Sequence, residues 1–452
     1  MYKRIKNLLA NRLATGASIL TITTFLSYLT GLLRDRIFSR TFGAGHELDL
    51  YNTSFIVPDL LLNILVSSAL SAAFIPIFTD LSARGAREKA NELANTVLHG
   101  AILVIFLAAV VAAIFMPWLS AKIAPGFSDG ERQTLISLSR LMLISPLIIA
   151  LSSGLGAMLV SFKKFLPYGL SPIFYNFGII GGALTAPWLG VYGLVLGTLV
   201  GALLHLLPRL VSMRYTTYRY ARQWRFKDAH FLKVIKLMIP KMIGHPVEQL
   251  QFFNFTRLAT FLAAGSVTAV SFARNFQSVP VSLFGIAFSV AIFPILAEAA
   301  GNGEHQKFLQ HFWKTLRNIL IFTVPSALGL YFLSDLPIRI FLGGGKFSDE
   351  NIFRTAQVLS IFALSIPTES LIHLLARSFY ALKNTIIPVI MSIAGLVISV
   401  YFASSRIETL GIAAIPYGFF LGSSAEVVLL GFFLWRRLEK FKLRPQSSPS
   451  SL

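Results

Sequence analysis

The 452-residue chain contains no cysteine, which excludes disulfides and thiolate metal sites. It is also poor in charge, at 13%, where a soluble domain carries roughly a quarter. Acidic residues are the scarcer sign, with 20 Asp and Glu against 40 Lys and Arg. No Asp-x-x-Asp pair for metal–diphosphate chemistry, no His/Glu zinc spacing and no P-loop occur in the sequence. The glycine-rich stretch LGGGKFSDEN, 342–351, has neither the preceding strand nor the Gly-Lys-Ser/Thr ending of a nucleotide site, and reads as an external loop. No enzyme class is indicated, ATP-driven transport by this chain alone is not expected, and no cofactor is called for; a coupling ion stays open.

What the chain has is apolar length. Apolar residues make up 55% of it, mean hydropathy is +0.68, and runs near 20 residues recur throughout. That is the length needed to cross ~30 Å of hydrocarbon as helix. The reading is an all-α polytopic membrane protein of about twelve spans, centred near residues 24, 65, 105, 147, 178, 202, 247, 283, 322, 367, 394 and 422. The start, MYKRIKNLLANRLATGASIL, has a basic and then an apolar region like a signal peptide. Its apolar segment continues past Gly31 with no small-x-small cleavage site, so it reads as a first retained helix, with a cleaved signal as the alternative.

A net charge of +20 points to nucleic acid in a soluble chain. Here topology accounts for it. With the N-terminus in the cytoplasm, most Lys and Arg fall in cytoplasmic segments, among them Lys3, Arg4, Lys163, Lys164, the connector RYTTYRYARQWRFK and the tail RRLEKFKLR. The positive-inside rule therefore places both termini in the cytoplasm, membrane lipids are the expected neighbours, and nucleic acid is not a partner.

The chain repeats itself weakly at an offset of 218 to 222 residues. AAFIPIFTD matches VAIFPILAE and pairs Pro76 with Pro294; the Phe-Ser-Asp of 127–129 matches 347–349; Lys163-Lys164 with Pro167 falls opposite Lys383-Asn384 with Pro388. Six spans per repeat is an even number, so both halves enter the membrane alike, as in transporters built from parallel repeats. The expected organisation is a lobe over 1–222, a second over 223–440 and a basic, Ser-rich cytoplasmic tail over 441–452.

Polar residues line up on helix faces. Thr23, Ser27, Thr30 and Arg34 follow a 3.6-residue period, as do Asp59, Asn63, Ser67 and Ser71 in the second span. Ser271, Asn275, Ser278 and Ser282 do so in the eighth, beside Arg274, and Lys241, His245 and Glu248 share a face in the seventh. An ionised group at a helix centre costs roughly 2.5–3.5 kcal/mol, so these faces should line a cavity or pack on one another. Ser and Thr stripes also serve as helix–helix glue. Arg34, with Asp49, and Arg274 are read as functional cations, Arg257 as open between function and structure, Arg377 as a snorkelling anchor, and His205 as packed or hydrogen-bonded. Pro58 and Pro280 sit at matching places in the second and eighth spans, where a lost backbone bond bends a helix and suits a gate or a static kink.

GLLRDRIFSRTFGAGHELDLYNTSFIVPDLL, APGFSD and RSFYALKNTIIP resemble, in order and spacing, the MurJ/MviN family of lipid II flippases, within the superfamily of multidrug, oligosaccharidyl-lipid and polysaccharide exporters. The resemblance runs over about residues 17–437. It implies two six-helix lobes in a V around a cationic cavity, in the bacterial cytoplasmic membrane. It implies as substrate the lipid-linked oligosaccharide diphosphate precursor of peptidoglycan, with cell-wall synthesis proteins as partners. Arginine suits a diphosphate because its planar fork makes charge-assisted bidentate bonds. Ser27, Arg34, Asp35 and Asp49 match the family pattern. Where the family has arginine, this chain has Tyr28, Leu62 and Asn275, the last with Arg274 beside it, and Ser67-Ser68 replaces a Glu-Gly. The two helices that the family commonly adds after the twelve-helix core are not expected here. The site expected on these grounds comprises Ser27, Arg34, Asp49, Asn63, Arg257, Arg274 and Asn275, with Asp35, Pro58 and Pro280 as gating or structural residues. The expected function is flipping of lipid II or a close relative by alternating access. The alternatives are export of another polyprenyl-linked glycan or small amphiphile, and a non-transporting scaffold of envelope synthesis.

Overall fold

The structure, a computed structural model, describes residues 2–222, 224–244 and 246–442, and the side chains of 18–65, 73–222, 224–238 and 247–439. The side chains of Ser67, Ser71, Lys241 and His245 and the tail beyond 442 lie outside these. The described residues form helices throughout, with no strand and a single isolated bridge, Gly344 to Phe347.

Each of the twelve span centres falls in a helical segment. Among the described residues six stretches are long and apolar enough to cross a membrane, or seven if the bent pair Asp349–Ala363 and Ile366–Ala381 counts as one. Length and composition undercount crossings where helices are folded back or interrupted. Ile386–Glu439 is counted as one stretch, yet Gly411 at φ 56° turns helix Ile386–Leu410 back onto Ala414–Lys442, with Gly395 against Gly422. The second span is broken into Ile56–Leu62, a π-turn Asn63–Ser67 and Ser68–Ala83.

The chain divides into two compact units, 1–249 with 341–347, and 250–340 with 348–452. In the first, Phe74, Phe78, Leu93, Val97, Met158 and Phe231 form a core that joins Ser68–Ala83, Arg87–Ile123, Ile144–Ser161 and Ala229–Gly244. In the second, Leu296, Phe308, Phe312, Leu374, Phe379 and Leu430 do the same for Ala287–Gly301, His305–Phe332, Ile366–Ala381 and Ala414–Lys442. Large apolar side chains also face outward: Ile114, Phe115 and Trp118 are each more than half exposed. In water such a surface would be a large exposed patch; in hydrocarbon it is the solvated face.

The internal repeat recurs in the backbone. Helix ends at Gly85 and Gly303 carry the same pair of bonds, Ala86 N–H to the Leu81 carbonyl with Gly85 to Ser82, and Glu304 to Ala299 with Gly303 to Ala300. Both glycines are left-handed, at φ 76° and 74°, the conformation this helix stop requires. The same stop is made by Lys163 and Lys383, at φ 58° and 57°, although an L-residue with a side chain pays roughly 1–2 kcal/mol there. Ser128 and Ser348 each cap the following helix by accepting from the backbone N–H three residues on. The π-turn Asn63–Ser67 has its counterpart in Val281–Ile286. All these pairs keep the sequence offset.

Helices Phe165–Leu184 and Val191–Met213 pack backbone to backbone through glycines at four-residue spacing, Gly178 and Gly182 against Gly197 and Gly201. Such small residues let spans approach closely. A Cβ on Gly182 would lie 2.3 Å from the Gly193 carbonyl oxygen and 2.5 Å from Gly197 Cα. Both are backbone atoms that cannot step aside, so Gly182→Ala is expected to destabilise the first unit by about 1–3 kcal/mol, read as a lowered melting temperature in detergent.

The connector between the halves is a strap laid on the first unit. Tyr218 donates to Asn95 Oδ1, Arg225 pairs with Glu92 at 2.9 Å, and Lys164 Nζ reaches the Tyr215 carbonyl. At the other end of the unit, segment 341–347 clasps the end of helix Tyr2–Phe42: Lys346 N–H donates to the Arg40 carbonyl at 2.9 Å and Ser39 Oγ to the Leu342 carbonyl at 2.8 Å. The glycine-rich loop serves a packing role, since a Cβ on Gly345 would sit 2.4 Å from the Arg40 oxygen.

Candidate functional site

In the first unit the polar face of helix Tyr2–Phe42 meets helix Phe165–Leu184. Arg34 is three-quarters buried and donates from Nε and Nη2 to one Asp35 oxygen, at 3.0 and 2.8 Å. Its Nη1 donates to Asn176 Oδ1 at 3.2 Å, and its guanidinium lies 5.9 Å from the Phe38 ring centre. Asn176 Nδ2 in turn donates to Thr30 Oγ1 and to the Ser27 carbonyl. Ser27, Thr30, Arg34 and Asp35 are thus brought together, around an asparagine 142 residues from Arg34. Asp49 lies buried in the short helix His46–Ser54, where Tyr51 shares a hydrogen bond with Thr198 at 2.9 Å.

Pro58 and Asn63 line a cavity of 300 Å³ with Asp59, Ser145, Tyr175 and His205. His205 hydrogen-bonds through Nδ1 to Ser152 Oγ at 2.8 Å. Beside it, the buried Arg209 donates to Ser171 Oγ and the Ser152 carbonyl and lies over the Tyr168 ring.

In the second unit Arg274 forms a two-pronged ion pair with Glu369, 2.8 Å from Nη1 and 2.6 Å from Nη2. Gln277 also donates to Glu369, at 2.8 Å, and to Ser365. The guanidinium is sandwiched near the rings of Phe252 and Phe419, 5.4 and 5.0 Å away. Asn275 is half-buried on the next position, Arg257 is exposed near the end of helix Pro246–Ala259, and Pro280 closes helix Ser266–Pro280 immediately before its π-turn. Arg377 is half-buried and bonds the His373 carbonyl.

Sequence reasoning missed Asn176 and Glu369, which answer the two cations chosen from the helix faces. Asn176 shares its helix with Ser171 and Tyr175, and Glu369 shares its helix with Thr368, Ser370, His373 and Arg377, so neither stands out along the chain and only the helix pairing gives it a role. A polar residue inside a membrane span is itself a signal of this kind.

The chain is similar to known proteins in sequence and in fold. The family model described as lipid II flippase MurJ matches residues 38–446. The chain belongs to the MurJ family. A probable lipid II flippase MurJ of Borreliella burgdorferi is 27% identical over 96% of this chain and 85% of its own length. The lipid II flippase MurJ of Burkholderia cenocepacia is 26% identical over 93% of this chain and 84% of that protein. Among solved structures, a lipid II flippase MurJ in an inward closed conformation aligns with a TM-score of 0.79 at 24% identity, over 94% of this chain and 90% of that one. An inward-facing multidrug transporter of the MATE family aligns equally well, TM-score 0.79, at 13% identity over 95% and 99%. The fold is that of this exporter superfamily, and the chain is a multi-pass protein of the bacterial inner membrane.

Proposed function

We propose that this MurJ-family chain carries lipid II, or a close relative, across the cytoplasmic membrane by alternating access, with both termini in the cytoplasm. Dragging a sugar–peptide diphosphate through hydrocarbon strips hydrogen bonds at about 2–7 kcal/mol each, and a polar path removes that barrier. The observation that carries the reading is Arg34 and its ring of Ser27, Thr30 and Asn176, in a chain matched by the flippase family over nearly its whole length. Arg34 is the residue assigned to the diphosphate, with Asp49 and Asn63 on the same unit and Arg257, Arg274 and Asn275 on the other as further polar contacts. Pro58, in the short helix that leads into the π-turn Asn63–Ser67, and Pro280, directly before the π-turn Val281–Ile286, supply the bends.

A second reading rests on Tyr28, Leu62 and Asn275, which stand where the family pattern has arginine: the substrate is then another polyprenyl-linked glycan. Proteoliposomes holding the purified chain, supplied separately with lipid II and with a non-peptidoglycan polyprenyl-diphosphate glycan, distinguish the two. Flipping of lipid II together with rescue of a strain depleted of its own flippase is the expected result. Flipping of the second lipid alone supports the alternative, and neither, with the fold intact, leaves a scaffold that binds cell-wall synthesis proteins.

A further inference from the structure

The cavity of the first unit carries a carboxylate that nothing in the flipping mechanism uses. Asp59 opens into it, and among the described residues its carboxylate has no hydrogen bond and no ion pair. Arg34 does not answer it, since the Arg34 guanidinium bonds to Asp35 and Asn176 and not to Asp59. A lone negative charge at membrane depth is costly unless a positive charge answers it.

The rest of the wall is rich in neutral oxygen. Asn63, Ser145 and Tyr175 border the same space. So do three prolines from separate helical segments, Pro58, Pro146 and Pro172. A proline has no N–H, so each frees the carbonyl four residues earlier from its helical bond: those of Ser54, Met142 and Tyr168. Met142 itself borders the cavity. Unwound carbonyls beside a carboxylate are how broken membrane helices hold small cations. Among the described residues no three His, Asp or Glu side chains gather for a multivalent metal, and a single carboxylate balances one positive charge. A volume of 300 Å³ holds such an ion with part of its hydration shell, at ~30 Å³ per water.

We propose that this cavity is a binding site for a monovalent inorganic cation, with Asp59 as its charged ligand and neutral oxygens completing the shell. The site lies wholly within the first unit and needs no assumption about the transported lipid, so its test leaves lipid II out.

The experiment is equilibrium binding of radioactive sodium to the purified full-length chain, at fixed pH and ionic strength, with lithium and choline as competitors. Expected are saturable binding near one ion per chain, displacement by lithium but not by choline, and at least a tenfold weakening in Asp59→Asn. Absence of saturable binding in the parent chain overturns the proposal, as does unchanged affinity in a folded Asp59→Asn. Should that variant fail to fold, Tyr175→Phe removes one hydroxyl from the wall and keeps the ring; weaker binding supports the site and unchanged affinity overturns it.

Discussion

Replacing Arg34 with alanine is expected to reduce lipid II flipping to background and to abolish rescue of a flippase-depleted strain. Two physical effects converge on that residue. It is the cation assigned to the diphosphate, whose charge-assisted bonds are the strong ones. It is also the counter-charge of Asp35, which is 4% exposed, and removing one partner of a buried pair costs about 3–5 kcal/mol. The double variant Arg34→Ala with Asp35→Asn separates them, because it removes both charges together. If it folds and still does not flip, Arg34 acts on the substrate. If it flips at the parent rate, Arg34 serves only to neutralise Asp35, and the assignment of Arg34 to the diphosphate is wrong. Arg34→Lys is expected to restore folding but little transport, since an ammonium lacks the planar fork.

Glu369→Ala is expected to be among the most destabilising changes in the second unit, by about 3–5 kcal/mol. The carboxylate receives two bonds from Arg274 and one from Gln277, and both members of the ion pair are only 12% and 15% exposed. Without Glu369 the guanidinium is left between Phe252 and Phe419, whose faces attract a cation but contribute only about 2 kcal/mol when desolvated. The measurement is the thermal midpoint in detergent, followed by the double variant Arg274→Met with Glu369→Leu. Recovery of stability in the double variant is expected, because replacing a buried pair by apolar groups of similar volume is often neutral. Its transport then reports what Arg274 does for the substrate: parent activity in the stable double variant removes Arg274 from the site.

Different parts of this molecule are legible at different levels. The repeat shows in sequence because helix stops and caps are local: Ser128 and Ser348 stand in the same Phe-Ser-Asp triplet, and the paired Lys163 and Lys383 end helices with the same backbone turn. The broken second span was legible only in part, since Pro58 marks a bend but not the π-turn that follows it. His205 reads from the sequence as packed or hydrogen-bonded, and its bond to Ser152 is not legible there, because that pairing depends on how two helices face each other.

By itself the sequence determined the membrane-embedded, all-helical character, the duplication and the family, because hydropathy, helix stops and motif spacing act over a few residues at a time. Tertiary structure alone decided the chemistry of the chosen cations. Arg34 reaches Asn176, 142 positions on, and Arg274 meets Glu369, 95 positions on. Three prolines from three helical segments share one cavity wall with Asp59. Whether a charge within a membrane is free or already answered is set by helix pairing, which no periodicity along one helix contains.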